Sequence, residues 1–159
     1  MRSIGVAQRA LQTMIERASQ RVVFGKVKRV CVRLRVCVFF MLFFSQPILA
    51  RANAQDVIAR SHLEIEQCRL LTLHAANMID KLGAKGAFEH IAMIKIAAPQ
   101  MSCNVLDRAI QFFGAAGVSQ DTWLSYAYAG QRTLRIADGP DEAHLMTLAK
   151  AILAKRPKL

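Results

Sequence analysis

Residues 86–113 read GAFEHIAMIKIAAPQMSCNVLDRAIQFF, and the class of fold follows from this segment. Its apolar side chains return at every third or fourth position: Ile91, Ile94, Ala98, Met101, Val105, Ala109 and Phe112. Because an α-helix turns once in 3.6 residues, this spacing places them on one face of a helix. A proline inside a helix has no N–H to donate, so we expect a kink at Pro99. The segment therefore predicts one long amphipathic helix with a broad buried stripe.

Further helices are predicted before this segment. Residues 3 to about 20 carry apolar side chains at helical spacing: Ile4, Ala7, Leu11, Met14 and Ile15. Residues 56–82 carry a second apolar face, and Gly83 is expected to end that helix because glycine adopts the left-handed conformation of a helix stop. The face consists of Leu63, Leu70, Leu71, Ala75, Met78, Ile79 and Leu82.

Two more helices are predicted after residue 113. Ser119 is a candidate N-cap, because its hydroxyl can accept from a free backbone N–H, and its helix is expected to reach about Arg135. Pro140 is expected at the first position of the last helix, where a missing N–H is tolerated. The side chains expected to be buried there are Leu145, Leu148, Ala149 and Ile152. Long helices joined by short loops predict an all-α fold, an antiparallel bundle of four to five helices.

Length and charge narrow the class of protein. A chain of 159 residues has the size of one domain, and 53% of its residues are hydrophobic, as a packed helical core requires. Residues 1–60 hold 11 Lys and Arg with two carboxylates, whereas residues 61–159 hold 11 with nine carboxylates. The basic character therefore belongs to the N-terminal part of the chain. A uniformly basic nucleic-acid-binding domain would not show this uneven distribution, so we predict no nucleic-acid partner.

The cysteines and histidines show no metal-site spacing. Cys31, Cys37, Cys68 and Cys103 include no CxxC pair, and the four histidines are scattered among the predicted helices. We therefore expect buried, reduced thiols and no bound metal ion.

Residues 26–54 depart from the helical pattern. Five Lys and Arg lie at 26–35, nine apolar residues follow at 36–44, and Pro47 interrupts the remainder. Nine residues are too few to span a bilayer, which needs about 20. The order of these parts, with Ala-Asn-Ala at 52–54, is that of a secretory signal, although it begins far inside the chain. We favour an insertion foreign to the domain, at about 28–53. The alternatives are an internal signal and a membrane-surface element whose Phe side chains enter the lipid interface.

An acidic turn lies between the last two predicted helices, where residues 132–145 read RTLRIADGPDEAHL. Asp138 precedes a Gly-Pro pair, so its carboxylate lies outside the regular helical backbone. Such a carboxylate can reach a cleft, where partial desolvation makes it a stronger base. Asp before Gly-Pro is also common in ordinary turns, so capping of the turn is the alternative role.

Three motifs together resemble those of the acyl-CoA dehydrogenases, a flavoprotein family. RTLRIADGPDEAHL is similar to one branch of that family, which has Asp where most members have Glu in a Tyr-Glu-Gly turn. RVVFGK at 21–26 resembles the family's Arg-x-x-Phe-Gly-Lys. QFFGAAG at 111–117 resembles its Gln-x-x-Gly-Gly-x-Gly, with Ala115 in place of the second Gly. The resemblance covers residues 1–27 and about 55–155, and it is to the family's C-terminal helical domain.

The resemblance implies flavin-dependent α,β-dehydrogenation of acyl-CoA thioesters. Asp138 would be the catalytic base that removes the α-proton, while the β-hydride passes to N5 of FAD and a trans-2-enoyl-CoA forms. Arg21, Phe24, Gln111 and Gly114 would contact the FAD of a neighbouring subunit, and the planar fork of an Arg suits a pyrophosphate. We expect Asp138, Arg21 and Gln111 to converge on one face of the bundle.

The resemblance also implies a domain organisation and partners. Residues 1–155 correspond to the last of the family's three domains, interrupted by the insertion at about 28–53 and followed by a basic tail at 156–159. A chain truncated in this way is expected to have little independent activity, and whether it is an enzyme stays open. The alternative is a non-enzymatic helical module that pairs with full-length homologues. The implied partners are an acyl-CoA substrate and further subunits, not a membrane, in a mitochondrial or peroxisomal compartment.

Overall fold

The computed structural model of the protein describes residues 1–22 and 47–155. This part of the chain forms six helices: α1 (Arg2–Gln20), α2 (Ala52–Gly86), α3 (Phe88–Phe113), α4 (Ala115–Val118), α5 (Leu124–Thr133) and α6 (Asp141–Ala154). A 3₁₀ turn at Ile48–Ala50 precedes α2, and the described residues contain one isolated antiparallel β-bridge, between Val22 and Pro47. The predicted all-α bundle is confirmed, with five longer helices and the single turn α4. Phe24, most of the insertion expected at 28–53 and the tail at 156–159 lie outside the described residues.

The core forms where α1, α2 and α3 meet. Its buried side chains include Ile4, Ala7, Leu11 and Met14 of α1, Ile65 and Cys68 of α2, and Met101, Val105, Leu106 and Ala109 of α3. The predicted stripe of α3 is confirmed, because its middle members are buried and its outer members are partly buried. The helix runs on through Pro99, which is itself buried. Helix α3 is therefore the central helix of the bundle, because its buried face packs against both α1 and α2.

Polar contacts join the first three helices and show the relative direction of α2 and α3. Arg69 Nη2 on α2 donates to Gln8 Oε1 on α1 at 2.6 Å. Arg108 on α3 donates to both carboxylate oxygens of Glu64 on α2, at 2.9 and 2.6 Å. Four residues further along α2, the thiol of Cys68 lies 3.6 Å from the carbonyl oxygen of Ala97. Position along α2 thus rises as position along α3 falls, so the two helices are antiparallel, as predicted.

Two predicted helix starts differ from the structure, one by several residues and the other by a single residue. Ser119 does not cap a helix: its hydroxyl accepts from the N–H of Asp121 at 3.2 Å and closes a turn, and α5 begins only at Leu124. Pro140 is the N-cap of α6 and precedes its first helical residue, Asp141. Ser side chains bind backbone groups in turns as readily as at helix ends, so the sequence pattern does not separate these cases.

The predicted buried faces of α2 and α6 are partly wrong. At least half of the surface is exposed on Leu63, Leu70, Leu82, Leu145 and Ile152. These helices carry apolar side chains on more than one side, so periodicity alone does not decide which side meets the core. The predicted stop at Gly83 is confirmed as a break in α2, where the backbone adopts φ 70°.

Candidate functional site

The turn between α5 and α6 holds Asp138 in an unusual backbone conformation. Asp138 has φ 57°, and Gly139 after it has φ 105°. Positive φ crowds the Cβ of an ordinary residue, and Asp is among the few types that adopt it with any frequency. The chain reverses within a few residues here because both positions tolerate left-handed backbone.

Asp138 lines a largely apolar cavity. Its walls are Ile91, Ile94, Lys95, Ala98 and Pro99 of α3, Met1, Arg2 and Ser3 at the start of α1, and Leu134 and Ala137 beside the turn. The cavity has a volume of about 370 Å³. The Asp138 side chain is exposed, so its carboxylate is accessible to a molecule that enters the cavity.

An ion pair closes the turn on the far side of Asp138. Arg135 Nε donates to Asp141 Oδ2 at 2.7 Å, and the Asp141 N–H donates to the Arg135 carbonyl at 3.2 Å. The hydrogen bond from the Arg135 guanidinium to the Asp141 carboxylate, with the charge of that carboxylate, raises the pKa of Arg135 above its usual range. His144 Nε2 lies 3.3 Å from the carbonyl oxygen of Asp138, a hydrogen bond when that nitrogen carries the proton. Asp141 is 6% exposed and engaged by Arg135, so it is not a second free carboxylate in this turn.

Lys95 is a member of this site that sequence reasoning missed. Residues 91–99 were predicted only as core helix, yet the ammonium of Lys95 donates to the carbonyl oxygen of Leu134 at 2.6 Å. A second contact, to the carbonyl oxygen of Gly139, measures 3.5 Å. The available signal was a single Lys among Ile94, Ile96 and other apolar side chains, since a cation on a core helix needs a polar partner.

Arg21 and Gly114 meet at the other end of the bundle. Gly114 ends α3 with φ 64°, and a Cβ built on it would lie 4.0 Å from Arg21 Nη1. Gln111 is exposed in the last turn of α3, and among the described residues the Arg21 guanidinium forms no ion pair. The structure therefore brings a cation against bare backbone at this end.

We expected Asp138, Arg21 and Gln111 to converge on one face of the bundle. This prediction is wrong, because within one chain Asp138 lies far from the other two. Ser3 lines the Asp138 cavity, whereas Arg21 follows the last residue of the same helix. At 1.5 Å per helical residue these positions are about 27 Å apart. At that far end the Arg17 guanidinium lies 5.3 Å from the ring centre of Phe113, so α1 and α3 run in the same direction. The Asp138 cavity and the Arg21–Gly114 corner are consequently separate sites.

The histidines and cysteines of the described residues form no metal site. His74 and His90 meet edge to face with ring centres 5.0 Å apart, but the described residues contain no group of three metal-ligating side chains. Cys68 and Cys103 are buried and unbridged, as predicted, and burial raises the pKa of both thiols. No helix in the described part of the chain combines the length and hydropathy that crossing a membrane would need.

Comparisons with known proteins agree with the motifs and the fold. Residues 43–153 match the sequence profile of the acyl-CoA dehydrogenase C-terminal domain. Acyl-CoA dehydrogenase family member 11 of Rattus norvegicus is 48% identical over 150 residues, which are 94% of this chain and 17% of the rat protein. FadE2 of Mycobacterium tuberculosis, assigned as an acyl-CoA dehydrogenase, is 43% identical over 98% of this chain and 33% of its own length. A solved structure from Mycobacterium abscessus, assigned to the same family, superposes with a TM-score of 0.82 at 37% identity, covering 98% of this chain and 33% of that one. The chain thus spans a third or less of these relatives, and it belongs to the acyl-CoA dehydrogenase family.

Proposed function

We propose that this chain is the C-terminal part of an FAD-dependent acyl-CoA dehydrogenase and that Asp138 is its general base. The observation that carries the proposal is the position of Asp138, held in a left-handed turn beside an apolar cavity of about 370 Å³. A base that removes a carbon-bound proton must contact the substrate and be partly shielded from water. Asp138 meets the first condition because its exposed carboxylate borders the cavity, and a substrate bound there would supply the shielding. Asp141 does not, because Arg135 engages its carboxylate.

The proposed reaction begins when the acyl part of a CoA thioester enters the cavity. The walls formed by Ile91, Ile94 and Ala98 bind its methylene groups and exclude water. The Asp138 carboxylate then accepts the proton from the α-carbon, and the electron pair left behind forms the α,β double bond. FAD, when bound, would supply the oxidising half of the reaction by accepting the hydride of the β-carbon. Asp138 ends this step as a neutral carboxylic acid.

The residues at the opposite end fit the phosphates of FAD. Arg21 offers a guanidinium without an ion-pair partner among the described residues, next to the open backbone of Gly114. A guanidinium binds phosphate oxygens through paired N–H groups, and a residue without Cβ allows close approach. We assign Arg21, Gln111 and Gly114 to FAD binding, with Phe24 added by resemblance alone. Because these residues lie far from Asp138, each chain would bind the FAD that serves the Asp138 of a neighbouring subunit.

We also propose that the isolated chain turns over slowly. It spans 17% of the rat relative and 33% of the mycobacterial one, so much of what surrounds the substrate and FAD in a complete enzyme is supplied by other segments. Mitochondria or peroxisomes are the compartments we propose, on the family resemblance alone.

Association with another subunit is the second part of the proposal. The outer face of α6 exposes an apolar stripe: Leu145, Met146, Ala149, Ile152 and Leu153. Exposed stripes of this kind mark surfaces that pack against a partner. We commit to a second copy of this chain, with a full-length homologue as the alternative occupant. Light scattering should then show a dimer or larger species at micromolar concentration, and Ile152→Glu should shift it towards monomer. Asn104→Glu, at an exposed position of α3, should leave the distribution unchanged, and monomers throughout would remove this part of the proposal.

The role of Asp138 is tested by flavin reduction in a single turnover. The chain and two variants are incubated with FAD, desalted and mixed without oxygen with an acyl-CoA, and the loss of the visible flavin band is followed. Asp138→Asn should retain flavin but reduce it at least about 100-fold more slowly, the size of effect typical of a general base. Asp107→Asn, which changes an exposed carboxylate on α3, should behave like the unchanged chain. Equal rates for both variants would refute the assignment of Asp138.

A further inference from the structure

Lys95 connects α3 to the turn that carries Asp138. Its ammonium donates to the carbonyl oxygen of Leu134 at 2.6 Å and lies 3.5 Å from the carbonyl oxygen of Gly139. These two carbonyls lie on either side of Asp138 in sequence, 39 and 44 residues away from Lys95. Lys95 and Asp138 also line the same cavity. One side chain thus contacts the backbone on both sides of the proposed base.

The contact at Leu134 satisfies a group that a helix end leaves free. Leu134 is the C-cap of α5, and the last carbonyls of a helix have no partner within the helix. These carbonyls also carry the negative end of the helix dipole, so a cation is favoured there. An ammonium group offers three N–H donors, so Lys95 can contact both carbonyls at once.

The left-handed backbone of Asp138 needs support from its surroundings. A non-glycine residue in this conformation is strained and persists where neighbouring structure determines it. The Arg135–Asp141 ion pair and the contact of His144 with the Asp138 carbonyl both lie within the same local segment. Among the described residues, Lys95 is the side chain that hydrogen-bonds this turn from another helix. It therefore fixes the turn relative to α3 and to the cavity walls.

We propose that Lys95 is the positioning residue for Asp138, and this inference rests on the proposed function. By holding the end of α5 and the backbone beside Asp138, it keeps the carboxylate directed at a substrate bound against α3. Lys95 acts on the rate of proton removal through Asp138, without itself exchanging a proton with the substrate. Its loss should lower the rate of the chemical step while leaving acyl-CoA binding nearly unchanged.

The first measurement is amide hydrogen exchange across the whole chain, which needs neither FAD nor activity. Lys95→Met keeps the length of the side chain and removes the ammonium, Lys95→Arg restores a cation, and Lys150→Met is the exposed control. In Lys95→Met, exchange at residues 134–141 should accelerate at least about tenfold, as expected when a hydrogen bond to a charged group is lost. Lys95→Arg should recover part of the protection, and Lys150→Met should not differ from the unchanged chain. If Lys95→Met leaves amide exchange at residues 134–141 unchanged, the proposal is overturned. Faster exchange spread evenly over all helices would overturn it as well.

The second measurement separates this inference from the proposed function. In the flavin-reduction assay, Lys95→Met should lower the limiting rate about tenfold or more with little change in the acyl-CoA concentration at half-maximal rate, and Lys95→Arg should restore part of the rate. If Asp138→Asn has no effect, the proposed function fails, and the exchange result still decides whether Lys95 orders the turn. If Asp138→Asn is inactive while Lys95→Met reacts at full rate, the positioning role alone fails.

Discussion

Gly117 offers a test of how tightly the end of α3 is packed against α4. Gly117 is buried in α4, and a Cβ built on it would lie 2.5 Å from the carbonyl oxygen of Ile110, 2.9 Å from its Cα and 3.0 Å from its carbonyl carbon. All three atoms belong to the backbone of α3, so no side chain can rotate away to make room. Replacing Gly117 by Ala must therefore move α4 away from α3. The same shift would disturb Gly114, which joins the two helices.

The size of the effect follows from two opposing terms. Overpacking of this kind costs about 1–3 kcal/mol, and moving the backbone puts Gly117→Ala in the upper part of that range. Ala gains up to about 1 kcal/mol over Gly from its higher helix propensity, which offsets part of the cost. We expect a net loss of about 1–2 kcal/mol in the free energy of unfolding. For a chain of this length, this loss lowers the melting temperature by about 2–8 °C.

Gly130→Ala is the control, because the same substitution lies in open space. Gly130 is in α5, and nothing lies within 4 Å of the Cβ it would gain. This variant should gain about 0.5–1 kcal/mol from helix propensity and melt a few degrees higher. Thermal unfolding of the three proteins, followed by circular dichroism, measures both shifts. If Gly117→Ala melts at or above the temperature of the unchanged chain, the close approach of α4 to Ile110 is not a constraint and this reasoning fails.

Three further outcomes follow from ion pairs and buried thiols. Arg108→Met should lower the free energy of unfolding, measured in urea, by about 1–3 kcal/mol, because it breaks the half-buried ion pair between α2 and α3. A loss below about 0.5 kcal/mol is typical of an exposed surface pair and would show that this ion pair does not stabilise the bundle. The hydrogen bond and charge of Lys155 hold the pKa of Glu89 below its ordinary value of 4.5. The Glu89–Lys155 pair therefore stabilises the folded chain above pH 4.5, and this contribution is lost as the pH falls through the lowered pKa. Lys155→Met should therefore be less stable than the unchanged chain at neutral pH and equally stable in acid, as measured by urea unfolding at several pH values. Because burial raises the pKa of Cys68 and Cys103, both should be alkylated at about pH 8 more slowly in the folded chain than in urea, which peptide mass spectrometry resolves site by site.

The sequence predicted the helices better than their environments. The stripe of α3 was read correctly, because one continuous face of a central helix meets its neighbours along its whole length. The outer faces of α2 and α6 were assigned wrongly, since Leu70 and Leu145 have the same periodicity as residues that do reach the core. Periodicity reports that a helix has an apolar face, and the presence of a neighbour decides whether that face is buried. Ser119 failed for a related reason, because capping a helix and closing a turn use the same hydroxyl group.

For the candidate site too, the sequence predicted local features better than the positions of these features relative to one another. Local motifs made Asp138, Arg21 and Gly114 candidates, because each motif is a short run of adjacent residues. Their separation depends on α1 and α3 running in the same direction, which no local motif encodes. Lys95 was missed although it is a lone cation on an apolar helix. Its partners are backbone carbonyls 39 and 44 residues away, so the sequence did not show which segment it contacts. Ser3, which lines the Asp138 cavity, and Arg21 lie about 27 Å apart along α1. The proposed base and the proposed FAD contacts of one chain would therefore serve two different active sites, and for this reason the proposed function calls for a second subunit.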